Sequence, residues 1–343
     1  MVFFAGNLAK AKFSNQNDMT FYEKLAAGKK IDYVVIGDSI GRGSGAENES
    51  LTWFSQLEKL LSSHYNVQFN RHSIVQSGAT AFEGIVKMEK ESLPSDFDIA
   101  FIVFGENDRK YMSDKQFAYF YELLIRKIKE HNPDSEIVTI TESCLSNQNF
   151  AEVIKTTSDY YKTVHIDMRI PFDASGLSIK ELTKDGIHPN GKGYSLYAQS
   201  IFSVLEKASL NSRAISIYPP EPLHTGSDKV FTFITSIQSN NGFQYKKPYY
   251  TSLKNSDSLQ YRFTGSMVGV TVLRSPNGGK VDVFIDGKFS TTLSTWWPFE
   301  RVRHQYISSG LKNGEHTLRF VHSNEVKTGT VKISSIIVQT PQR

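Results

Sequence analysis

One cysteine, Cys144, stands among 343 residues, so the chain cannot form an internal disulfide. That scarcity suits a reducing compartment, or a surface protein that does without bridges. Long apolar runs are missing as well. No window approaches the roughly 18 residues that a membrane-spanning helix needs, so no membrane partner is expected. The opening residues, Met1-Val2-Phe3-Phe4-Ala5-Gly6, have no basic start and no apolar stretch of signal-sequence length. An ordinary export signal is therefore not expected, which leaves the cytoplasm, or a cell or virion surface reached by another route. Charge of one sign is scarce too. Thirty-nine Lys and Arg face 35 Asp and Glu, for a net +4, and the two signs are mixed along the chain. A nucleic-acid partner is not expected from such a balance.

What the chain does contain falls into two halves with different periods. From about Lys30 to Leu210, apolar runs alternate with helical patterns. Tyr33-Val34-Val35-Ile36 reads as a first strand, and Leu51, Phe54, Leu57, Leu60 and Leu61 then follow the spacing of an amphipathic helix. Val67-Gln68-Phe69 begins a second strand. Ile99 to Phe104 is a third, apolar enough to be covered on both faces. The stretch Asp114 to His131 predicts a helix stopped by Asn132-Pro133. Ile137–Ile140 and Thr163–Ile166 predict two more strands, and a helix from about Gly193 to Lys207 closes the unit. Such alternation predicts a parallel sheet flanked by helices, with its site at the carboxyl ends of the strands.

After Ser212 the strands become short and alternating. Lys229–Ile234, Tyr261–Phe263, Lys280–Ile285, Thr317–Val321 and Val331–Val338 are separated by turns at Asn277-Gly278-Gly279, Asp286-Gly287 and Asn313-Gly314. Asp286-Gly287 is a strong hairpin signal, and the rhythm predicts a β-sandwich. Tyr218-Pro219-Pro220-Glu221-Pro222 interrupts any helix near the junction. The expected division is an N-terminal segment 1–29, an α/β unit 30–212 and a β-sandwich 213–343. If the two units act independently, a cut near Pro219 spares the chemistry of the first.

The chemistry-bearing residues lie at strand ends. Gly37-Asp38-Ser39 follows the first strand and offers a hydroxyl at the sheet edge. A serine hydroxyl attacks an ester only with a base in reach and a partner to orient that base. Of nine histidines, only His188 sits in a Gly/Pro-bounded loop with an acid three positions before it, Asp185-Gly186-Ile187-His188-Pro189. Between these lie Ser77-Gly78 and, directly after the third strand, Gly105-Glu106-Asn107-Asp108. Gly41-Arg42-Gly43-Ser44-Gly45-Ala46 matches a dinucleotide-binding pattern, but no acidic residue closes the second strand, where Asn70-Arg71-His72 stands. No histidine pair has the spacing of a helical zinc site, and His165-Ile166-Asp167 reads as strand-end packing. No metal and no cofactor are expected.

The blocks Gly37-Asp38-Ser39, Gly78, Gly105-Glu106-Asn107-Asp108 and Asp185-Gly186-Ile187-His188 resemble, in order, those of the SGNH (GDSL-type) hydrolase family. Ile40 stands where that family often has Leu. Over roughly residues 20 to 210 the resemblance implies a flavodoxin-like three-layer α/β domain with a parallel sheet. It implies Ser39 as nucleophile, His188 as base and Asp185 as its orienter. It also implies an oxyanion hole from the Ser39 and Gly78 backbone N–H groups and the Asn107 side chain. Asp108 is expected to tie down its loop. An all-β, jelly-roll-like sandwich beside such a domain resembles the accessory domains of carbohydrate esterases. Trp296-Trp297-Pro298-Phe299, or Tyr245 with Tyr249-Tyr250, then offers either a sugar-stacking platform or ordinary sandwich packing.

The expected function is a serine esterase acting on short acyl esters, O-acetyl above all, of a carbohydrate polymer. The expected partner is an acylated polysaccharide or a small ester. A lipase or thioesterase, an O-acyltransferase and a non-catalytic glycan-binding protein are the alternatives.

Overall fold

The computed structural model describes residues 19–91, 93–224, 229–324 and 329–341. Residues 1–18, and with them the expectation about Met1–Gly6, lie outside the described residues. Five parallel strands form the first sheet: β1 (Ile31–Gly37), β2 (Phe69–Val75), β3 (Ile99–Val103), β4 (Glu136–Thr141) and β5 (Val164–Asp167), in the order β2-β1-β3-β4-β5. This is the flavodoxin-like order, which puts its crevice between β1 and β3.

Burial explains the unbroken apolar character of the central strands. Val34 and Ile36 of β1, with Ala100 and Ile102 of β3, face one core, while Tyr33, Val35, Phe101 and Val103 face another. The second core is closed by α1 (Phe21–Ala26), α2 (Trp53–Tyr65) and α8 (Gly191–Leu210). The first is closed by α3 (Ala81–Glu91), α4 (Asp114–His131) and α5 (Gln148–Tyr161). Caps set the helix starts. Ser113 and Gln116 form a capping box ahead of α4, and Asn190 accepts from the Lys192 and Gly193 N–H groups at the start of α8. Helix α1 packs its Phe21, Tyr22 and Leu25 into the α/β core, although the sequence sets residues 1–29 apart. Two short helices, α6 (Arg169–Ala174) and α7 (Ile179–Leu182), precede the loop that carries His188.

Eleven further strands follow: β6 (Lys229–Ile234), β7 (Ser239–Asn241), β8 (Gln244–Lys246), β9 (Tyr249–Ser252), β10 (Ser258–Thr264), β11 (Met267–Arg274), β12 (Lys280–Ile285), β13 (Lys288–Ser294), β14 (Arg301–Ser309), β15 (Glu315–His322) and β16 (Val331–Pro341). They pair antiparallel into a five-stranded sheet, β13-β12-β15-β10-β7, and a six-stranded one, β14-β11-β16-β9-β8, with β6 beside β16. The two sheets enclose a core that includes Val270, Val283, Phe320 and Ile333.

The six-stranded sheet is covered on its other face as well. Its Phe231, Met267, Tyr306 and Ile337 belong to the same apolar cluster as Phe82 of α3 and Phe120 of α4. Phe82 meets Phe231 edge-on at 5.3 Å between ring centres, and Phe120 meets Tyr306 at 5.6 Å. The two halves therefore share a core, so the sandwich is docked onto the α/β unit rather than hung from a linker. Among the described residues no helix is long and apolar enough to cross a membrane.

Candidate active site

The cleft lies at the carboxyl ends of β1 and β3. Beyond β1 the chain turns tightly: the Asp38 carboxylate accepts from the Ile40 N–H at 2.8 Å, and the Ser44 N–H reaches back to the Ser39 carbonyl at 2.9 Å. Trp53 of α2 donates its indole N–H to the Ile40 carbonyl, which pins this turn to the helix layer. Ser39 is left at the mouth of the cleft.

His188 reaches Ser39 from the loop between α7 and α8. Its Nε2 is 3.0 Å from Ser39 Oγ, and its Nδ1 is 2.7 Å from Asp185 Oδ2. The other Asp185 oxygen accepts from the backbone N–H groups of Ile187 and His188. One carboxylate thus shapes the turn and orients the ring. Partial burial works to raise the Asp185 pKa, but these N–H groups and the ring outweigh it and bring it down to about 2. The glycine run after Ser39 has a packing role here. Gly45 sits at φ +104°, and a Cβ there would lie 2.5 Å from the Pro189 carbonyl and 2.8 Å from His188 Cβ. The stretch that matched a dinucleotide pattern is the floor under the histidine loop.

Gly78 and Asn107 flank Ser39 across the cleft. Gly78 lies at φ +76°. No acceptor among the described residues takes the Ser39 or Gly78 backbone N–H. Asn107 donates one amide hydrogen to Asp38 Oδ2 at 2.6 Å, which fixes the side chain and leaves its second hydrogen free. Asp108 caps α3 through the Ala81 N–H at 2.8 Å and is fully buried; burial, with the nearby Asp38 charge, pushes its pKa up to about 8. It ties down the loop, as its place in the sequence implies.

Beneath Asp38 lies Glu142, just past β4 and wholly buried. Its Oε2 accepts from the Glu106 N–H at 2.7 Å. Burial and the Asp38 charge hold Glu142 well above the usual carboxylate range. The buried Glu142 has no counterpart among the residues that the sequence singles out. Its only signal is an acid directly after an apolar strand. Among the described residues no group of three or more His, Cys, Asp or Glu side chains is placed to hold a metal ion.

The sandwich supplies the remaining wall. Arg274 at the end of β11, Trp297, and Arg303 of β14 line the same cleft of about 440 Å³. Arg303 forms a buried, two-pronged hydrogen-bonded ion pair with Glu83 of α3, at 2.6 to 3.0 Å, and donates to the Gly78 carbonyl at 2.6 Å. Of the two tryptophans singled out from the sequence, Trp297 faces the cleft and Trp296 stands 54% exposed outside it. Tyr245 and Tyr250 pack ring to ring on the β8–β9 hairpin, at the opposite edge of the sheet from β14. His165 pairs with Thr141, and Asp167 with Arg169, as strand-end packing.

Residues 35–196 match the GDSL-like lipase/acylhydrolase family. The first half of the chain is a GDSL-like (SGNH) hydrolase domain. Residues 255–343 match the carbohydrate esterase 2 N-terminal family, so the GDSL-like domain is followed by a domain of carbohydrate-esterase type. The fold is similar, over both halves, to the crystal structure of a two-domain esterase (CEX) active on acetylated mannans. The two share 18% identity and a TM-score of 0.74, and the alignment covers 93% of this chain and 94% of that one. The same esterase co-crystallised with mannopentaose aligns with a TM-score of 0.72 at 18% identity, over 93% of each chain. Axe2, an acetylxylan esterase from Geobacillus stearothermophilus, aligns at 17% identity and a TM-score of 0.45, over 52% of this chain and 96% of its own. No match was found among curated proteins.

Proposed function

We propose that this protein is a carbohydrate esterase that removes short acyl groups, chiefly O-acetyl, through an acyl-enzyme on Ser39. The single observation that carries the reading is the hydrogen-bonded chain Ser39–His188–Asp185, opening onto a cleft with two unclaimed backbone N–H groups. His188 Nε2 takes the Ser39 proton as Oγ attacks the ester carbonyl. The oxyanion so formed faces the Ser39 and Gly78 N–H groups and the free Asn107 amide hydrogen. Collapse expels the sugar hydroxyl, which leaves with the proton from His188. Water then repeats the sequence on the acyl-enzyme and releases the acid, restoring Ser39. Asp185 stays ionised throughout and stabilises the imidazolium.

A sugar as the alcohol part is supported by the carbohydrate-esterase domain that walls the cleft, and by the likeness in fold to an esterase active on acetylated mannans. Charged side chains, among them Glu106, Lys110, Arg274 and Arg303, interrupt the apolar lining of the cleft, which disfavours a long-chain lipid. The test is acetate release from a panel of acetylated glycans by wild type and Ser39→Ala, with 4-nitrophenyl acetate and butyrate alongside. Ser39-dependent release from a glycan is the expected result. Hydrolysis of the nitrophenyl esters alone would move the substrate to small esters, and activity undiminished in Ser39→Ala would remove the acyl-enzyme.

A further inference from the structure

The cleft and its rim at Ser77 carry more positive charge than their acids use. Arg303 is matched by Glu83, and Lys110 lies 3.6 Å from Glu106. Arg42, Arg274 and Arg301 have no carboxylate within ion-pair distance among the described residues. Arg301 and Arg42 reach only the carbonyl and hydroxyl of Ser77, each at 3.5 Å. The guanidiniums of Arg274, Arg301 and Arg303 all lie 5.4 to 5.8 Å from the ring centre of Trp297.

Arg274 is the informative member. It is only 7% exposed, it lines the cleft, and its Nε has no hydrogen-bond partner. The Trp297 indole N–H beside it is likewise buried and unpartnered. A buried guanidinium without a counter-charge is costly, and native proteins leave few buried donors unpaired. Burial, reinforced by the Arg303 charge, pulls the Arg274 pKa down, as expected of a cation held without an anion. A buried cation without a counter-charge on one wall of a substrate cleft describes the anion that is missing.

Resting on the esterase reading, we infer that the substrate carries a carboxylate near the scissile acyl ester, and that Arg274, with Arg301, receives it. A planar guanidinium pairs with a carboxylate through two parallel hydrogen bonds, which fixes orientation as well as charge. The carboxylate has two chemical sources. It belongs to the sugar, as in a uronic acid polymer, or to the acyl group, as in a half-ester of a dicarboxylic acid.

Binding is measured first, by calorimetry on Ser39→Ala with tri-galacturonate and with mannotriose. The charged sugar is expected to bind about tenfold or more tightly, with an advantage that shrinks between low salt and about 150 mM. Arg274→Met and Arg301→Gln should each bring the two affinities together. Arg262→Gln, on the exposed face of the other sheet, should not. If Arg274→Met fails to fold, Arg301→Gln and the salt dependence carry the same comparison.

Turnover then separates the sources. A sugar carboxylate predicts a higher kcat/KM on acetylated uronan than on acetylated mannan, and an acyl carboxylate predicts 4-nitrophenyl hemisuccinate over 4-nitrophenyl acetate. Neutral partners bound and turned over as well as charged ones in both pairs would overturn the inference, since the cations would then serve the oxyanion alone. Hydrolysis undiminished in Ser39→Ala would instead overturn the esterase reading, and the calorimetric ratio would still decide the anion.

Discussion

Arg303→Met is the most informative single change, because one side chain joins the two halves and also holds Gly78. The Arg303 and Glu83 side chains are 4% and 2% exposed, and among the described residues Glu83 has only the Gln76 amide and the His304 N–H as other donors. Removing the guanidinium strands a buried carboxylate, a loss of about 3–5 kcal/mol for such pairs. It also frees the Gly78 carbonyl, whose neighbouring N–H faces the cleft. Losing one oxyanion donor outright lowers kcat by about 10²–10³, so a loosened one should cost about tenfold. The double variant Glu83→Leu/Arg303→Met removes both charges and should recover most of the stability. It should not recover the rate, because Gly78 remains unanchored. Urea unfolding and kcat/KM on 4-nitrophenyl acetate measure the two quantities separately. The reasoning fails if Arg303→Met costs under about 1 kcal/mol, or if the double variant regains both stability and rate.

A fragment ending before residue 213 should be poorly folded and inactive, since Phe82 and Phe120 lose the Phe231 and Tyr306 rings that cover them; a folded fragment with full nitrophenyl-ester activity would refute the shared core. Asn107→Ala should lower kcat by about 10²–10³ with KM nearly unchanged, and an unaltered kcat would remove its amide from the oxyanion hole. Asp108 titrates near 8 when folded against 3.8 as a free side chain, so the folded state binds more protons between those values and stability falls as pH rises through them. Asp108→Asn keeps an acceptor for the Ala81 N–H and should flatten that decline, by up to about 1.4 kcal/mol per pH unit, in melting curves taken from pH 5 to about 8. His304 moves the other way: burial, then the Lys90 charge, draw its pKa down to about 4, so its contribution is present above the ordinary imidazole range and lost as pH falls through 4. His304→Gln should therefore lessen the acid sensitivity of the melting temperature.

Local signals were legible wherever one short stretch decides the outcome. Asp114 to His131 is helical from end to end, because Ser113 caps it and Asn132-Pro133 stops it. The hairpin at Asp286-Gly287 forms with both residues at positive φ. Asp185 and His188 meet because they stand three positions apart across a tight turn. The wall opposite Ser39 was not legible. Arg303 and Glu83 lie 220 positions apart, and nothing marks Arg303 out in a strand that also carries Arg301, His304 and Gln305. Trp296 and Trp297 are adjacent in sequence, yet only the register of the chain at Ser275 decides which one faces the cleft. The second strand begins at Phe69 rather than Val67, since pairing with Ile31 sets its start.

The shared core also bears on how such proteins are assembled by gene rearrangement. What the cleft requires is that β11 and β14 meet α3, and Phe82, Tyr306, Glu83 and Arg303 hold that geometry from within the two halves. A tether only raises the effective concentration of one half near the other, to the millimolar range for short linkers. The order in which the halves are encoded is then free to change while one composite cleft persists. A domain named for an N-terminal position matches residues 255–343 here, after the hydrolase domain. By the same logic, the two halves expressed as separate chains should reassemble a working site at sufficient concentration.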